Sequence, residues 1–289
     1  MRQPIQKNQE DIIDYYNQTA FDYQLAWYKK DNPALHFGFY DKEKADAHYE
    51  ALAHTNQVLA NAAQVQDGDK ILDAGCGLGA SAFWLASHFQ VHVTGISLPP
   101  KQIQACQERA AVLGLQAQTD FKVASYLNTP FSDHSFDVIW ACESVCHAPQ
   151  KIEFYQEAFR VLKPGGRLIM AEYLRADRPL KPQEEILLKD KWLGNWAIND
   201  IDTSEEHLGH LEKVGFQGID IQNVNEQVRI SLRNLHEKCS RSYPIEVVLK
   251  SLRIRSKVQH GNLVGSINQY RAFTKGLWWY ALISAQKPV

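Results

Sequence analysis

The 289-residue sequence has no long apolar run and no excess of either charge. No stretch approaches the about eighteen consecutive apolar residues that a transmembrane helix needs, and the polar start, Met-Arg-Gln-Pro, lacks the apolar core of a secretory signal. We therefore expect a soluble, cytoplasmic protein. Lys and Arg number 31 and Asp and Glu 33, a net charge of −2, which argues against general affinity for nucleic acids. A small-molecule substrate is the favoured partner, and the oligomeric state is left open.

Cysteines are few and follow no pattern. They stand without Cys-x-x-Cys pairs at positions 76, 106, 142, 146 and 239. This spacing predicts neither a disulfide framework nor a zinc site, so we interpret them as reduced thiols. His, Asp and Glu also show no cluster at metal-ligand spacing, and no metal is expected.

Residues 70 to 173 alternate between apolar strands and helical segments, which is the order of a doubly wound α/β sheet. Further helices and two late strands follow. The predicted strands are 70–74, 91–96, 120–124, 136–141, 166–173, 216–224 and 277–285, and the predicted helices of the sheet region are 79–88, 100–113, 150–162 and 204–214.

The domain organisation is predicted from the remaining segments. Residues 1–62 are expected to form a helical N-terminal cap that closes over the active site, and residues 63–289 the catalytic domain. Within it, prolines and an amphipathic piece indicate a cap insertion at about 175–203, and a helical segment is expected at about 226–272.

A glycine-rich turn after the first predicted strand indicates a cofactor site. In Lys70-Ile-Leu-Asp-Ala-Gly-Cys-Gly-Leu-Gly79 the glycines permit a tight turn and close approach of a ligand, and the following helix directs free N–H groups at it. Gly75 to Ala80 also matches G-x-G-x-x-A, the pattern of NAD(P) enzymes. Such sites expect an acid or an Arg at the end of the next strand, but that strand ends at Ser97. An NAD(P) oxidoreductase is therefore the disfavoured alternative.

Several motifs resemble the class I S-adenosylmethionine (SAM) methyltransferases. They are Asp73 before the glycines, Gly95-Ile-Ser-Leu-Pro-Pro-Lys-Gln102, Leu162-Lys-Pro-Gly-Gly-Arg-Leu-Ile169 and Cys142-Glu-Ser-Val-Cys-His-Ala-Pro149. The last is similar to the Glu-Ala-Thr-Cys-His-Ala-Pro block of sterol C-methyltransferases. The resemblance covers nearly the whole chain and is densest from 70 to 173. It implies a Rossmann-like, seven-stranded doubly wound sheet with an antiparallel last strand, and SAM as methyl donor with S-adenosylhomocysteine as product.

The resemblance also implies contacts to SAM. Asp73 would accept from the amino group, with the backbone of Gly75 and Gly77 against the donor. The acid usual at the ribose is replaced by Ser97, which is followed five residues later by Gln102, as in cyclopropane synthases; a hydroxyl can still hydrogen-bond a diol.

Further cofactor contacts are expected from other parts of the chain. Ser125 or Tyr126 stands where the family often has an acid for the adenine amine, and Ala141 lies in the fourth predicted strand. The aromatic N-terminal region resembles the segment that closes over the donor in sterol and tocopherol methyltransferases. By that resemblance Tyr16 would line the methyl-transfer pocket and His36 would approach the donor.

Two side chains after the fourth predicted strand are candidate catalysts. Glu143 is placed in the crevice where open α/β sheets bind ligands, and its carboxylate could deprotonate or stabilise a cation formed by methylating an alkene. His147 could instead remove a proton from a hydroxyl or ammonium group, oriented by Glu172.

The sequence thus favours C-methylation of a small, largely apolar molecule, isoprenoid, sterol-like or tocopherol-like. The alternative is an O- or N-methyltransferase of secondary metabolism that uses His147. A SAM-binding module without catalysis is also left open.

The segment from Arg229 to Lys257 is basic, with eight Lys or Arg and two Glu. Such a pattern is typical of a solvated helix face. It would also suit a phosphate-bearing or membrane-lodged substrate, and hence a peripheral membrane contact.

Overall fold

Seven strands form one sheet in the computed structural model, which describes residues 9–28, 32–40 and 48–289. The strands are β1 (Lys70–Ala74), β2 (His92–Ser97), β3 (Thr119–Val123), β4 (Phe136–Cys142), β5 (Leu162–Arg175), β6 (Gln217–Asn223) and β7 (Trp278–Gln286). Their order across the sheet is β3-β2-β1-β4-β5-β7-β6. Strands β1 to β5 are parallel, and β7 runs antiparallel between β5 and β6. The predicted Rossmann-like sheet with an antiparallel last strand is confirmed.

Helices cover both faces of this sheet, because its central strands are apolar on both sides. Helices α2 (His48–Ala62), α3 (Ala80–His88) and α4 (Pro100–Leu113) pack on the face that carries Ile71 and Val138. Helices α5 (Lys151–Val161) and α7 (Ser204–Val214) pack on the face that carries Leu72 and Ile139. Consecutive strand residues thus enter opposite cores, as the two-residue period of a strand requires.

The order in which the chain adds strands to the sheet reverses between β1 and β4. From β1 it proceeds to β2 and β3 on one side, and then returns to β4 and β5 on the other. In open α/β sheets the crevice at the carboxyl ends of two such strands is the ligand site. The glycine-rich turn after β1 and the segment after β4 therefore meet at this crevice.

The remaining helices form a cap over the crevice. Helix α1 (Gln9–Ala26) lies against α9 (Lys257–Thr274), and the hydroxyl of Tyr15 donates to Oδ1 of Asn262 at 2.8 Å. The long helix α8 (Asn225–Ser251) precedes α9. The insertion after β5 contains α6 (Pro182–Glu185), a π-helical turn (Ile186–Asp190) and a 3₁₀ turn (Leu193–Trp196). No helix in the described part of the chain is long and apolar enough to cross a bilayer.

The predicted strands and helices agree with the structure to within a few residues, and the main difference is at β5. The strand predicted at 166–173 begins at Leu162 and contains a bulge: Phe136 pairs with Leu162 and Val138 with Arg167, and Gly165 has a φ of 74°. Strands β6 and β7 pair antiparallel although α8 and α9 lie between them in the chain. The division into a cap of residues 1–62 and a domain of residues 63–289 stays a prediction.

Candidate active site

A cavity of about 560 Å³ lies at the carboxyl ends of β1, β2 and β4, beneath the cap. Its size is in the range typical of small-molecule sites. The structure brings together in its walls most of the side chains singled out in the sequence, namely Tyr16, His36, Asp73, Gly75, Gly77, Ser97, Gln102, Tyr126, Glu143 and His147.

Backbone contacts fix the shape of the glycine-rich turn. Gly75 and Gly77 have φ values of 93° and 53°, in the left-handed region that favours glycine. The backbone N–H of Gly75 donates to the carbonyl oxygen of Ile96, and the hydroxyl of Ser144 donates to the carbonyl of Ala74 at 2.6 Å. A Cβ on Gly75 would overlap the side chain of Ser144. The turn is therefore preorganised for close approach of a ligand.

Asp73 has an unsatisfied acceptor in the cavity wall. The side chain is buried, and Oδ2 has no hydrogen-bond partner within the described ranges 9–28, 32–40 and 48–289. Burial raises the pKa of this carboxyl to about 7. Since buried polar atoms are normally paired, this oxygen fits a missing donor such as the ammonium group of SAM.

Ser97 and Gln102 form the predicted pair. The Ser97 hydroxyl donates to Oε1 of Gln102 at 2.9 Å, and both side chains line the cavity. The Gln102 amide N–H groups and the hydroxyl oxygen of Ser97 suit a diol. Nearby, Tyr126 lines the cavity and its hydroxyl donates to the carbonyl of Ser144 at 2.9 Å.

Two expected cofactor contacts lie outside the cavity wall. The Ser125 hydroxyl accepts from the backbone N–H of Leu127 at 3.2 Å, in a local turn. Ala141 is buried inside β4. Their neighbours Ala124 and Cys142 line the cavity instead. Within β4, a shift of one residue moves a side chain to the opposite face, so Cys142 and not Ala141 presents its side chain to the cavity. Contacts of Ser125 and Ala141 with the cofactor stay predictions.

The carboxylate of Glu143 accepts three hydrogen bonds. Oε1 accepts from the backbone N–H of Phe37 at 2.6 Å and from the hydroxyl of Tyr280 at 2.7 Å, and Oε2 accepts from the hydroxyl of Tyr173. Burial raises the pKa of Glu143 to about 7, while these hydrogen bonds oppose the rise. Glu143 thus connects β4 to β5, to β7 and to the N-terminal segment.

Sequence reasoning did not identify Tyr173 and Tyr280. They are direct register partners on β5 and β7, so both hydroxyls reach the same carboxylate. The only sequence signal was the position of Tyr173 at the carboxyl end of a central strand. Tyr280 is brought there by the antiparallel pairing of a distant strand.

His147 is held as a neutral base. Its Nδ1 lies 3.1 Å from the carbonyl oxygen of Ala197, and its Nε2 lies 3.0 Å from the hydroxyl of Tyr16. Because a carbonyl can only accept, we assign the proton to Nδ1, which leaves Nε2 to accept from Tyr16. Burial lowers the pKa of His147 to about 4, so the ring is uncharged at neutral pH.

The expectation that Glu172 orients His147 is wrong. The Glu172 carboxylate is buried and accepts from the backbone N–H groups of Cys146 at 2.8 Å and Tyr173 at 2.9 Å. It does not line the cavity. The carbonyl of Ala197 in the inserted cap orients the imidazole instead, and burial raises the pKa of Glu172 to about 7.

His36 has one free nitrogen at the cavity. Its Nδ1 donates to the carbonyl of Phe37 at 2.9 Å, and its Nε2 is buried without a partner in the described residues. Burial lowers its pKa to about 4. Its approach to the methyl donor stays a prediction.

In the part of the chain that the structure describes, no group of three or more His, Cys, Asp or Glu side chains could hold a metal ion. The five cysteines are all free thiols.

The fold, the preorganised turn, the unsatisfied Asp73 and the Ser97–Gln102 pair define a Rossmann-like enzyme with a nucleotide-type cofactor at the switch point of its sheet.

Comparisons with known proteins give the family. Residues 72–170 match the model of a methyltransferase domain. The chain is 30% identical over 258 residues to the 27-O-demethylrifamycin SV methyltransferase of Amycolatopsis mediterranei, which covers 88% of this chain and 90% of that protein. It is 30% identical over 215 residues to cycloartenol-C-24-methyltransferase 1 of Oryza sativa, covering 73% of this chain and 60% of that protein.

The fold has a close counterpart among solved structures. The crystal structure of the [4+2]-cyclase SpnF superposes with a TM-score of 0.81 at 23% identity, over 99% of this chain and 98% of that one. The chain belongs to the SAM-dependent methyltransferases, and SAM is its cofactor. The NAD(P) alternative is thereby removed.

Proposed function

We propose that this SAM-dependent methyltransferase methylates a hydroxyl group on a large, mainly apolar molecule, and that His147 is the general base. The observation that carries this proposal is the fixed tautomer of His147: Nδ1 is bound to the Ala197 carbonyl, and the lone pair of Nε2 is directed to the Tyr16 hydroxyl in the cavity wall.

The lining of the cavity supports an apolar acceptor. Beyond the glycine-rich turn, the walls come from α1, the segment 33–37, the inserted cap, α8 and α9, and large apolar side chains contribute much of their surface: Ile12, Phe21, Leu25, Trp196, Ile198 and Leu263. The charged side chains in these walls are Asp22, Lys238, Glu246 and Arg255, and Arg255 is paired with Asp22 and Glu246. A molecule held there would gain most of its affinity from apolar burial, with a polar group fixed near Tyr16 and His147.

The reaction requires the protein to align the acceptor hydroxyl with the methyl group of SAM and to provide one proton acceptor. When bound, SAM supplies an activated methyl group on a sulfonium, which becomes a neutral thioether after transfer. As the new oxygen–carbon bond forms, the hydroxyl proton passes to Nε2 of His147, either directly or through the Tyr16 hydroxyl. A neutral imidazole can accept it, whereas a protonated one could not.

Glu143 is less available than His147 for this task. Three donors already occupy its carboxylate, and one of them is the backbone N–H of Phe37 in the segment that covers the cavity. We therefore assign Glu143 to holding the cap and the two tyrosines in place. The rifamycin relative, which matches over most of both chains, is named as a methyltransferase of 27-O-demethylrifamycin SV, and this name agrees with the preference for oxygen.

C-methylation of an isoprenoid, sterol-like or tocopherol-like alkene is the second candidate. Burial raises the pKa of Glu143 to about 7, its carboxylate accepts from the hydroxyls of Tyr173 and Tyr280, and the Phe37 ring packs against both tyrosine rings, an environment suited to a carbocation. The Oryza relative is named as a C-methyltransferase.

The position of the transferred methyl group separates the two candidates. SAM labelled with ¹³C in the methyl group is incubated with the enzyme and a library of hydroxylated and unsaturated isoprenoids and polyketides. Methylated products are detected by mass spectrometry and then isolated. We expect the carbon NMR spectrum of the product to show a methoxy carbon. A carbon-bound methyl group would replace this proposal with the Glu143 mechanism, and a nitrogen-bound one would contradict both.

A further inference from the structure

One rim of the cavity is apolar and faces solvent. Phe21 and Leu25 of α1, Ile245 of α8 and Ile254 of the α8–α9 turn all line the cavity, yet they are 62 to 76% exposed. Large apolar side chains that cluster in solvent around the mouth of a cavity mark an interaction surface.

Helix α8 extends this rim outward. Ile245, Val248 and Leu252 follow one another at intervals of three and four residues, which places them on one side of the helix. Val248 and Leu252 are 55% and 63% exposed and do not line the cavity. The rim therefore continues as an exposed apolar stripe along the last turns of α8.

Basic side chains accompany the stripe. Lys250, Arg253 and Lys257 are exposed, and no carboxylate of the described ranges forms an ion pair with them. Arg255 differs, because it is bound to Asp22 at 2.6 Å and to Glu246 at 2.9 Å. Lys250, Arg253 and Lys257 therefore give the surface beside the rim a net positive charge.

Acidic residues of α1 do not cancel this charge. Asp22 is already the partner of Arg255, which fastens α1 to the α8–α9 turn. Glu10, Asp11 and Asp14 lie in the first turns of α1, towards the other end of the helix from Leu25.

We propose that this rim, defined by Phe21, Leu25, Ile245, Val248, Leu252 and Ile254, is a docking surface for an anionic lipid bilayer. Apolar side chains flanked by Lys and Arg are the composition of helices that lie in the membrane interface. Anionic lipids attract such basic residues. A second copy of the chain or a partner protein would also bury the apolar side chains, but neither calls for unpaired positive charge.

Docking at this rim would bring the substrate directly to the cavity. Since four rim residues also line the cavity, its mouth opens towards the bilayer, and an apolar substrate can enter without crossing water. The inference does not depend on whether oxygen or carbon receives the methyl group.

Vesicle co-sedimentation tests the inference. The full chain is mixed with vesicles of phosphatidylcholine, with or without phosphatidylglycerol. We expect binding to the mixed vesicles that weakens as salt is raised, because salt screens exposed charges. The variant Lys250→Gln with Arg253→Asn should bind about thirtyfold more weakly, from about 1 kcal/mol for each basic residue. Val248→Ser with Leu252→Ser should lower binding by at least about tenfold.

Matched controls keep the result interpretable. Val112→Ser removes an 86% exposed apolar side chain on α4, and Lys213→Gln removes an exposed lysine on α7. Both should bind vesicles like the wild type, and SAM affinity should be unchanged in all variants.

Three outcomes would overturn the inference. These are no preference for phosphatidylglycerol, equal losses in the control variants, and concentration-dependent self-association that the Val248→Ser, Leu252→Ser variant abolishes. Such self-association would identify the rim as an interface between two copies of this chain.

Discussion

The hydroxyl oxygen of Tyr16 lies 3.0 Å from Nε2 of His147. Tyr16 belongs to α1, and His147 follows β4, so this hydrogen bond joins the N-terminal cap to the carboxyl edge of the sheet. In the proposed mechanism the cap therefore supplies the partner of the base and does more than cover the cavity. Whatever displaces α1 also removes the partner of the proposed base.

Binding of SAM should depend on pH through Asp73. Burial holds the pKa of this carboxyl at about 7 in the free protein, and an ammonium partner in the complex would lower it. Only the ionised form attracts the ammonium group, so affinity falls as pH drops below about 7, by up to about tenfold per pH unit. Calorimetry from pH 5.5 to 8.5 measures this.

The matched variants for that measurement are Asp73→Asn and Glu143→Gln. The first should bind SAM weakly with little pH dependence. The second removes another carboxyl with a pKa of about 7 and should keep the wild-type profile. A profile that stays unchanged in Asp73→Asn would show that a different group titrates.

The ribose pair should be energetically coupled. Ser97→Ala and Gln102→Ala each remove neutral hydrogen bonds, which are worth about 0.5 to 1.5 kcal/mol, or about two- to twelve-fold in the dissociation constant for SAM. Because the two side chains bond to each other, the double variant should lose less than the sum of the single losses. If neither the single variants nor the double variant changes the dissociation constant for SAM, the ribose diol is bound elsewhere.

The glycine-rich turn should be intolerant of a methyl group at Gly75. Gly114 provides the control: its φ is 69°, and a Cβ there would meet nothing within 4 Å. Gly114→Ala should destabilise the protein by about 1 to 2 kcal/mol, the cost of the left-handed conformation. Gly75→Ala adds overlap with Ser144 and should exceed that by about 1 to 3 kcal/mol. Urea unfolding gives both values, and equal losses would mean that the clash is relieved.

Local sequence was sufficient to bring the residues of the predicted cofactor site together in the cavity wall. Asp73, Gly75 and Gly77 lie within one strand and its turn, and the five-residue spacing of Ser97 and Gln102 spans one strand end and the first turn of α4. Such spacings fix geometry without knowledge of the rest of the fold. Ser125 and Ala141 do not line the cavity, whereas their neighbours Ala124 and Cys142 do, because a sequence pattern does not state which side chain of a strand or its following loop meets the crevice.

The acceptor half depends on contacts between distant segments. The Ala197 carbonyl that orients His147 comes from an insertion with irregular structure, and Ala197 itself has a φ of 55°. Tyr280 reaches Glu143 only because β7 pairs antiparallel beside β5. No spacing in the sequence encodes these relationships, so Glu172 was assigned to His147 on the basis of chemistry alone.

The most direct test of the proposed mechanism compares kcat for His147→Ala and Glu143→Gln on the acceptor found by screening, with the SAM dissociation constant measured on the same variants. We predict that His147→Ala lowers kcat by about 10²- to 10⁴-fold without weakening SAM binding, and that Glu143→Gln, which keeps most of its hydrogen bonds, lowers kcat less. The reverse ranking, with Glu143 essential and His147 dispensable, would contradict it.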